Sequence, residues 1–196
     1  RPVIAADGAP RRVMRFDGGN DLWSNATTEF GAISGARSVA ILCRTLNANN
    51  GFLFDGSTGT GRTRAQVRGG NWQAGVGSVW DEADPNTSAS SPGVWHQHVF
   101  TFSSGASSTT VNHWIDGVLA ATNTDTGTAN LGGLIVGSSG GSPFTRLAVD
   151  VAEIAVFNTA LGQSDITSLK SAWDSRWGTP SLPPFSASVA QTPREI

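Results

Sequence analysis

Short segments with alternating polar and apolar residues, separated by turn-forming pairs, dominate the chain. In segment 62–68 one parity holds Arg62, Arg64, Gln66 and Arg68, and the other holds Thr63, Ala65 and Val67. Segment 95–102 is bulky at both parities, which is typical of a central strand buried on both faces. Between such segments lie pairs that tolerate the positive φ of tight hairpins, such as Asn50-Gly51, Gly69-Gly70 and Asp116-Gly117. The pattern predicts an all-β protein.

One segment near the C-terminus has helical spacing instead. Its apolar residues recur at Ile166, Leu169, Trp173 and Trp177. Ser164 is placed to cap free amides, Asp165 suits the positive end of the helix dipole, and Gly178 with Pro180 ends the helix. We predict a helix over about residues 164–176, with its tryptophans packed against the protein.

Composition limits the classes of partner. The chain has 196 residues, 38% of them apolar, 14% charged and 24 of them glycine, with a net charge of −2. One domain over residues 1–178 is expected, followed by a proline-rich extended tail or linker over 179–196. The charge gives no reason to expect nucleic acid as a partner, and no apolar run is long enough for membrane insertion. The start at Arg1, without Met or a signal-peptide pattern, is typical of a processed or excised module.

Several motifs occur in an order that resembles a known family. They are Arg15-Phe16-Asp17-Gly18-Gly19-Asn20-Asp21, Pro92-Gly93-Val94-Trp95-His96, His113-Trp114-Ile115-Asp116-Gly117, Leu134-Ile135-Val136-Gly137 and Val149-Asp150-Val151-Ala152-Glu153-Ile154. Together with the helix they resemble laminin G-like domains of the concanavalin A-like lectin and glucanase type over residues 13–178. The resemblance implies a two-sheet antiparallel jelly-roll sandwich with one short C-terminal helix.

The same fold carries glycoside hydrolases and lyases, so we tested the chain for their residues. Laminarinase-like hydrolases place carboxylates on one strand as E-x-D-x-x-E, and Asp150 with Glu153 matches the second half of that motif. Ala148 stands where the nucleophile would be, and a retaining hydrolase needs two carboxyl groups about 5 Å apart. Alginate lyase-like relatives use a tyrosine, and the chain contains none. The sequence therefore predicts no enzyme.

Other reactive residues have ordinary explanations. His96, His98 and His113 are the only histidines, and no carboxylate or cysteine beside them completes a metal set. The single cysteine, Cys43, lies among apolar neighbours and is expected to be a buried hydrophobe.

The polar face of segment 62–68 offers a candidate ligand site. Arg62, Arg64 and Arg68 could clamp carboxylate or sulfate groups, and Trp72 in the next segment could stack on a sugar ring. The alternative is a solvated edge face on which arginine stems cover the sheet. If the first interpretation holds, the bound glycan is anionic.

A calcium site is implied by the resemblance, because such domains commonly hold Ca²⁺ through loop oxygens. Asp17, Asn20 and Asp21 form an oxygen-rich turn, and Asp150 is expected to close upon it. Turn formation alone also explains these residues.

Two functional hypotheses follow. The first is a noncatalytic carbohydrate-binding or adhesion module, extracellular or surface-associated, whose partner is a glycan or a cell-surface component. The second is a structural domain that decorates a virion or cell-surface assembly, with the tail packing on a neighbour and homo-oligomers allowed. A glycoside hydrolase or lyase is the third and weakest alternative.

Overall fold

The computed structural model describes residues 3–6, 12–25, 32–56, 62–77, 86–105, 107–126, 130–138 and 146–178. The predicted tail over 179–196 lies outside these ranges. The strands are β1 Val3–Ala6, β2 Arg12–Asp17, β3 Trp23–Asn25, β4 Ala32–Ile33, β5 Arg37–Thr45, β6 Gly51–Asp55, β7 Arg62–Arg68, β8 Asn71–Gly77, β9 Asn86–Ala89, β10 His96–Ser104, β11 Ser108–Ile115, β12 Val118–Thr126, β13 Leu131–Gly132, β14 Leu134–Val136 and β15 Ala148–Phe157. Helix α1 spans Gln163–Trp177.

The strands form two large antiparallel sheets, as predicted. The seven-stranded sheet has the order β1-β2-β15-β5-β10-β11-β12, and the six-stranded sheet has the order β3-β14-β6-β7-β8-β9. Strand β10, predicted to be central, lies between β5 and β11. The two-residue turn at Asp116-Gly117 pairs Ile115 directly with Val118, and both turn residues have positive φ. The all-β sandwich expected from the sequence is therefore confirmed.

Alternation along the strands divides the apolar residues into two clusters. Val39, Ile41 and Cys43 of β5 face the core between the sheets, together with residues such as Phe16, Phe54 and Phe100. Ala40 and Leu42 face the other way, where they meet Ile166 and Trp173 of α1. Helix α1 therefore covers the outer face of the seven-stranded sheet, and its tryptophans pack as predicted.

The helix begins differently from the prediction. Gly162, in an extended conformation, is the N-cap, and the Asp165 carboxylate accepts a hydrogen bond from the Gly162 N–H at 3.2 Å. Ser164 lies inside the first turn, so its expected capping role is wrong. Asp165, at the third helical position, accepts the N-cap N–H, whereas Gly162 has no side chain to accept the amides that follow it. The C-terminus ends as expected at Gly178, which has φ 74°.

No helix among the described residues is long and apolar enough to cross a membrane.

Candidate ligand-binding rim

The turn after β2 is braced from within. The Oδ1 atom of Asp17 accepts a hydrogen bond from the Gly19 N–H at 2.6 Å, and the Oδ2 atom of Asp21 accepts one from the Asp17 N–H at 3.1 Å. The guanidinium of Arg146 donates to the Gly19 carbonyl. Asp21 is buried. These contacts fix the backbone of the turn and explain why its sequence is rich in Asp and Gly.

Several side chains of this segment are exposed to solvent. We call residues 17–24 the rim. Asp17, Asn20, Leu22, Trp23 and Ser24 are all exposed. Trp23 is 36% exposed and is the only exposed aromatic side chain among the described residues. It lies on β3, which ends the six-stranded sheet and, among the described strands, pairs only with β14, placing Trp23 opposite Val136. The rim therefore combines a flat indole with polar side chains at the edge of the sandwich.

The predicted calcium set is only partly assembled. The Asp150 carboxylate is fully buried and is held by Arg15, at 2.7 and 2.8 Å, and by Arg44, at 2.8 and 2.9 Å. The inclusion of Asp150 is therefore wrong, because two guanidiniums already occupy its oxygens. Within the described ranges no three His, Cys, Asp or Glu residues group as a metal set would. Calcium at Asp17, Asn20 and Asp21 stays a prediction.

The arginine face on β7 is not the expected open surface. Arg62 forms an ion pair with Asp55 at 2.8 Å, and both Arg62 and Arg64 are buried. Asp55 lies opposite Arg64 on the neighbouring strand β6. The parity argument placed the arginines correctly on the face away from Ala65 and Val67, but that face is covered and carries its own carboxylate. Arg68 is half-buried and also has a partner.

Trp72 cannot serve as the stacking surface proposed for it. The register of β7 with β8 places Trp72 opposite Val67, on the core side of the sheet. Its ring centroid lies 4.5 Å from that of His98, and it is 2% exposed. The expectation of an exposed Arg62, Arg64 and Trp72 site for anionic glycans is therefore wrong.

The two carboxylates of the hydrolase-like motif, Asp150 and Glu153, have different partners on the outer face of the seven-stranded sheet. A bulge in β15 between Val151 and Glu153 places both Asp150 and Glu153 on the outer face, opposite Arg44 and Leu42 of β5. The Glu153 carboxylate accepts hydrogen bonds from Arg176 and, at 2.7 Å, from the indole Nε1 of Trp177. Both Glu153 partners belong to α1, so its side chain fastens the helix to the sheet.

The histidines and the cysteine have structural surroundings. The Nδ1 atom of His98 and the Nε2 atom of His113 lie 2.9 Å apart in the core, beside Trp72. Burial lowers the pKa of His113 to about 3, and burial followed by the proximity of His113 and His96 lowers the pKa of His98 well below its usual range. Burial raises the pKa of Cys43, so it remains a thiol.

His96 and Asp116 form a more exposed pair at the β11–β12 hairpin. The Nδ1 atom of His96 lies 2.6 Å from Oδ2 of Asp116, while Oδ1 accepts the Gln97 N–H at 2.9 Å. Burial alone would raise the pKa of Asp116, but these hydrogen bonds lower it overall. The pair fixes a turn in which Asp116 has φ 52°. This contact explains the residues without a catalytic role.

Sequence reasoning missed Trp23 as well as the two arginines that hold Asp150. The sequence clue to Trp23 was its position directly after a polar turn. Turns lie at the ends of a sandwich, so an aromatic residue next to one lies there too. The position of Trp23 in the sequence did not predict that β3 would be an edge strand. The arginine partners lie 135 and 106 residues from Asp150 along the chain, beyond any local pattern.

Comparisons with known proteins agree on the fold. Residues 17–167 match the family described as the concanavalin A-like lectin/glucanases superfamily. A sequence comparison with curated proteins gives no match. Among solved structures, the binding domain of Paraclostridial Mosquitocidal Protein 1 superposes with a TM-score of 0.67 at 14% identity, covering 88% of this chain and 46% of that one.

Two further solved structures with a similar fold belong to enzymes. Domain 4 of AbnA, a GH43 extracellular arabinanase from Geobacillus stearothermophilus in complex with arabinotriose, gives a TM-score of 0.62 at 15% identity and covers 87% of this chain and 81% of that one. The Trypanosoma rangeli sialidase in complex with 2,3-difluorosialic acid gives 0.60 at 15% identity, covering 83% and 28%. These likenesses concern the fold. The family match covers most of this chain, and the chain therefore belongs to the concanavalin A-like lectin/glucanase superfamily.

Proposed function

We propose that the chain is a noncatalytic carbohydrate-binding module whose ligand contacts the rim, with Trp23 as the stacking surface. The exposed indole of Trp23 carries the proposal. An aromatic side chain exposed at a fixed edge strand loses little conformational entropy when a sugar ring covers it. Asp17 and Asn20 supply hydrogen-bonding groups to sugar hydroxyls a few residues away.

The charge of the rim favours a neutral sugar. Asp17 and Asp21 are its only ionisable side chains, and the Arg146 guanidinium, which donates to the Gly19 carbonyl, offsets one of their two negative charges. A uronate or sulfate would meet like charge there, whereas a neutral oligosaccharide would accept the carboxylate as a hydrogen-bond partner. We therefore replace the anionic ligand expected from Arg62, Arg64 and Arg68 with a neutral oligosaccharide.

Strand β15, whose sequence resembles half of a hydrolase motif, also supports the absence of catalysis. Ala148 offers no nucleophile, Asp150 is held by Arg15 and Arg44, and Glu153 is bonded to α1. Helix α1 covers the face on which these carboxylates lie. A substrate would have to displace Arg15 and Arg44 from Asp150, and Arg176 and Trp177 from Glu153, to reach these carboxylates.

Two of the structural neighbours are compatible with binding as the function. One is named as a binding domain, and another is a domain of an extracellular enzyme with a neutral trisaccharide bound. Because neutral glycans are abundant at cell surfaces and in extracellular matrices, the proposal includes a location outside the cell.

The test compares a rim variant with a matched surface variant. We would screen the protein, Trp23→Ala, Trp23→Phe and Val94→Ala on an array of neutral and acidic oligosaccharides, then titrate the best ligand calorimetrically. Val94 is also exposed and apolar but lies outside the rim. We expect neutral ligands, at least about tenfold weaker binding for Trp23→Ala, and partial recovery with Phe. Unchanged binding by Trp23→Ala, or no binding across the array, would overturn the proposal.

Catalysis is checked on the same preparations. We expect no release of reducing ends or unsaturated sugars from a panel of polysaccharides. An activity lost in Glu153→Gln would show that the chain is an enzyme.

A further inference from the structure

A cavity of about 600 Å³ lies at the end of β15, beside the short strand β4. Its walls come from these two strands and from the residue that follows each of them: Ala32, Ile33, Ser34, Val156, Phe157 and Asn158. Small-molecule sites commonly have volumes of about 300–1,000 Å³. Ser34 and Asn158 are exposed, so the cavity opens to solvent. It is therefore large enough for a small ligand and accessible to one.

The wall that contains Asn158 is fixed from beneath by a buried serine. The hydroxyl of Ser38 donates a hydrogen bond to the Thr159 carbonyl at 2.8 Å and accepts one from the Leu161 N–H at 2.9 Å. These two bonds hold the segment that directly follows Asn158. A ligand that binds a wall already held in place loses little conformational entropy.

The wall that contains Ser34 is fixed by a buried arginine. The guanidinium of Arg37 donates to the Gly35 carbonyl, and its Nε atom donates to the Thr63 hydroxyl at 2.7 Å. The same guanidinium lies 5.4 Å from the centre of the Phe102 ring. The charge of Arg37 is therefore directed into the protein, and Arg37 braces the turn after Ser34 without lining the cavity.

The lining of the cavity is neutral and part polar, part apolar. None of its six residues has an ionisable side chain. Ile33, Val156 and Phe157 are half-buried and supply apolar surface, while the Asn158 amide and the Ser34 hydroxyl supply donors and acceptors. An anion would find no cation in this lining, and a calcium ion would find no carboxylate. The lining suits a neutral sugar ring, which has an apolar C–H face and hydroxyl groups around its edge.

Backbone groups at two strand edges add to the neutral donors and acceptors. Strand β15 pairs with β2 only as far as Val151, so residues 154–157 pair with β5 alone among the described strands. Strand β4 likewise pairs with β13 alone within that part of the chain. Both edges border the cavity, and each contributes N–H and C=O groups that a sugar hydroxyl can bond.

We propose that this cavity is a second carbohydrate subsite, which takes one neutral sugar residue or the end of a neutral oligosaccharide. The class of ligand rests on the carbohydrate-binding function proposed above, but the subsite does not depend on Trp23. A single sugar residue contacts few groups, so we expect a dissociation constant on the order of millimolar, weaker than that of the rim.

The subsite and the rim lie at opposite ends of β15. Ala148, its first residue, pairs with Asp17 of the rim, whereas Phe157, its last, lines the cavity. At about 3.3 Å per residue, this ten-residue strand separates the two sites by about 30 Å. One sugar residue cannot contact both, so the two sites bind independently.

Nitrogen–proton correlation NMR spectra test the cavity and the rim separately. We would add the methyl glycosides of glucose, galactose, mannose and xylose, and methyl glucuronide as the acidic counterpart, each to about 50 mM, which suffices for a millimolar dissociation constant. We expect at least one neutral glycoside to shift the amide signals of Ile33, Ser34, Phe157 and Asn158 together and saturably. The glucuronide should bind no more tightly than the glucoside. The indole N–H signal of Trp23 reports on the rim in the same spectra.

Three variants locate the binding. Asn158→Ala removes the amide and should weaken binding at the cavity at least about fivefold, as expected for one neutral hydrogen bond. Ser34→Phe fills the cavity and should abolish that binding. Thr159→Ala changes the adjacent exposed residue, which does not line the cavity, and should leave binding unchanged. The dispersion of the amide signals confirms that each variant is folded.

The outcomes separate this subsite from the rim. Saturable shifts at the cavity that disappear in Ser34→Phe and persist in Trp23→Ala would support the subsite, whether or not the rim binds. Shifts confined to Trp23 would leave the rim proposal intact and overturn this one. The absence of any saturable shift at the cavity, or cavity shifts that Asn158→Ala and Ser34→Phe leave unchanged, would also overturn it.

Discussion

Trp72 and Trp23 belong to the same six-stranded sheet and have opposite surroundings. Trp72 lies on β8, between β7 and β9, and is 2% exposed against the rings of His98 and Phe100. Trp23 lies on β3, which has one neighbour among the strands that the structure describes, and is 36% exposed. Position in the strand order, rather than residue type, separates an indole that fills the core from one that faces solvent.

The difference separates stability from ligand binding. Core groups around Trp72 are close-packed and satisfied by one another, so changing them should alter the free energy of unfolding. Rim groups are held by a braced turn, so changing their outward side chains should alter binding and little else. Each prediction below tests one side of this contrast.

The largest effect is expected at Trp72. Trp72→Ala removes a fully buried indole from the contact between the two sheets and should lower the free energy of unfolding by about 3–5 kcal/mol. Urea unfolding followed by circular dichroism measures the loss. Glycan affinity per folded molecule should stay unchanged. Reduced affinity in the folded fraction would show that the core and the rim are not separate.

A buried carboxylate gives the next effect. Asp150→Ala leaves Arg44 buried without its anion, and we expect a loss near the lower end of about 3–5 kcal/mol, because the other partner, Arg15, is 35% exposed and regains water. Asp165→Ala, an exposed helix-cap variant, should cost only about 1 kcal/mol. If Asp150 were a calcium ligand instead, the loss on Asp150→Ala would disappear when a chelator is present in both samples.

Asp150 also shows which features of the structure could be predicted from the sequence. The alternation in β7, the turn at Asp116-Gly117 and the extent of α1 are local, because each depends on neighbours within one or two turns or a single hairpin. The partners of Asp150 come from β2 and β5, and only the completed sheet order brings them beside β15. The same limit applies to Arg62 and Trp72. Parity placed Arg62 on the correct face of β7, but only the register of β7 with β8 puts Trp72 opposite Val67, and whether a face meets solvent depends on elements elsewhere in the chain.

Acid should weaken the core before it affects the rim. The pKa values of His98 and His113 are lowered in the folded state, while both histidines titrate near pH 6.5 in the unfolded chain. As the pH falls below about 6.5, the unfolded chain binds protons that the folded chain does not. Each histidine should then lower the free energy of unfolding by up to about 1.4 kcal/mol per pH unit.

The control for the effect of acid replaces the imidazole rings of His98 and His113. In His98→Phe and His113→Phe, alone and combined, urea unfolding between pH 7 and 5 should depend less on pH than in the parent. His96 and Asp116 lie beside His98 and remain in these variants, and His113→Phe leaves His98 in place as their neighbour. An unchanged slope in the double variant would mean that the histidine pair is not the source of the acid sensitivity.

Calcium, if bound at the rim, should have a smaller effect. Asp17, Asn20 and Asp21 offer few oxygens, which suits a weak extracellular-type site with a dissociation constant of about 0.1–1 mM. Calcium at ten times that constant would stabilise the folded state by about 1.4 kcal/mol. Scanning calorimetry with calcium or chelator should show a rise in Tm of a few degrees, lost in Asp17→Asn but kept in Asp125→Asn. No shift in the parent would remove calcium from the rim.

The smallest effect on stability is expected at Trp23 itself. Trp23→Ala removes an indole that is only partly packed on an edge strand with one neighbour, so the free energy of unfolding should fall by less than about 1 kcal/mol. The same variant should lose at least about tenfold in glycan affinity. Urea unfolding and calorimetric titration on one preparation measure both quantities. A loss of stability as large as that of Trp72→Ala would mean that Trp23 is part of the core and that the contrast between edge and centre is wrong. A small loss of stability with binding abolished would show that the rim is a recognition surface carried by a sheet that does not depend on it.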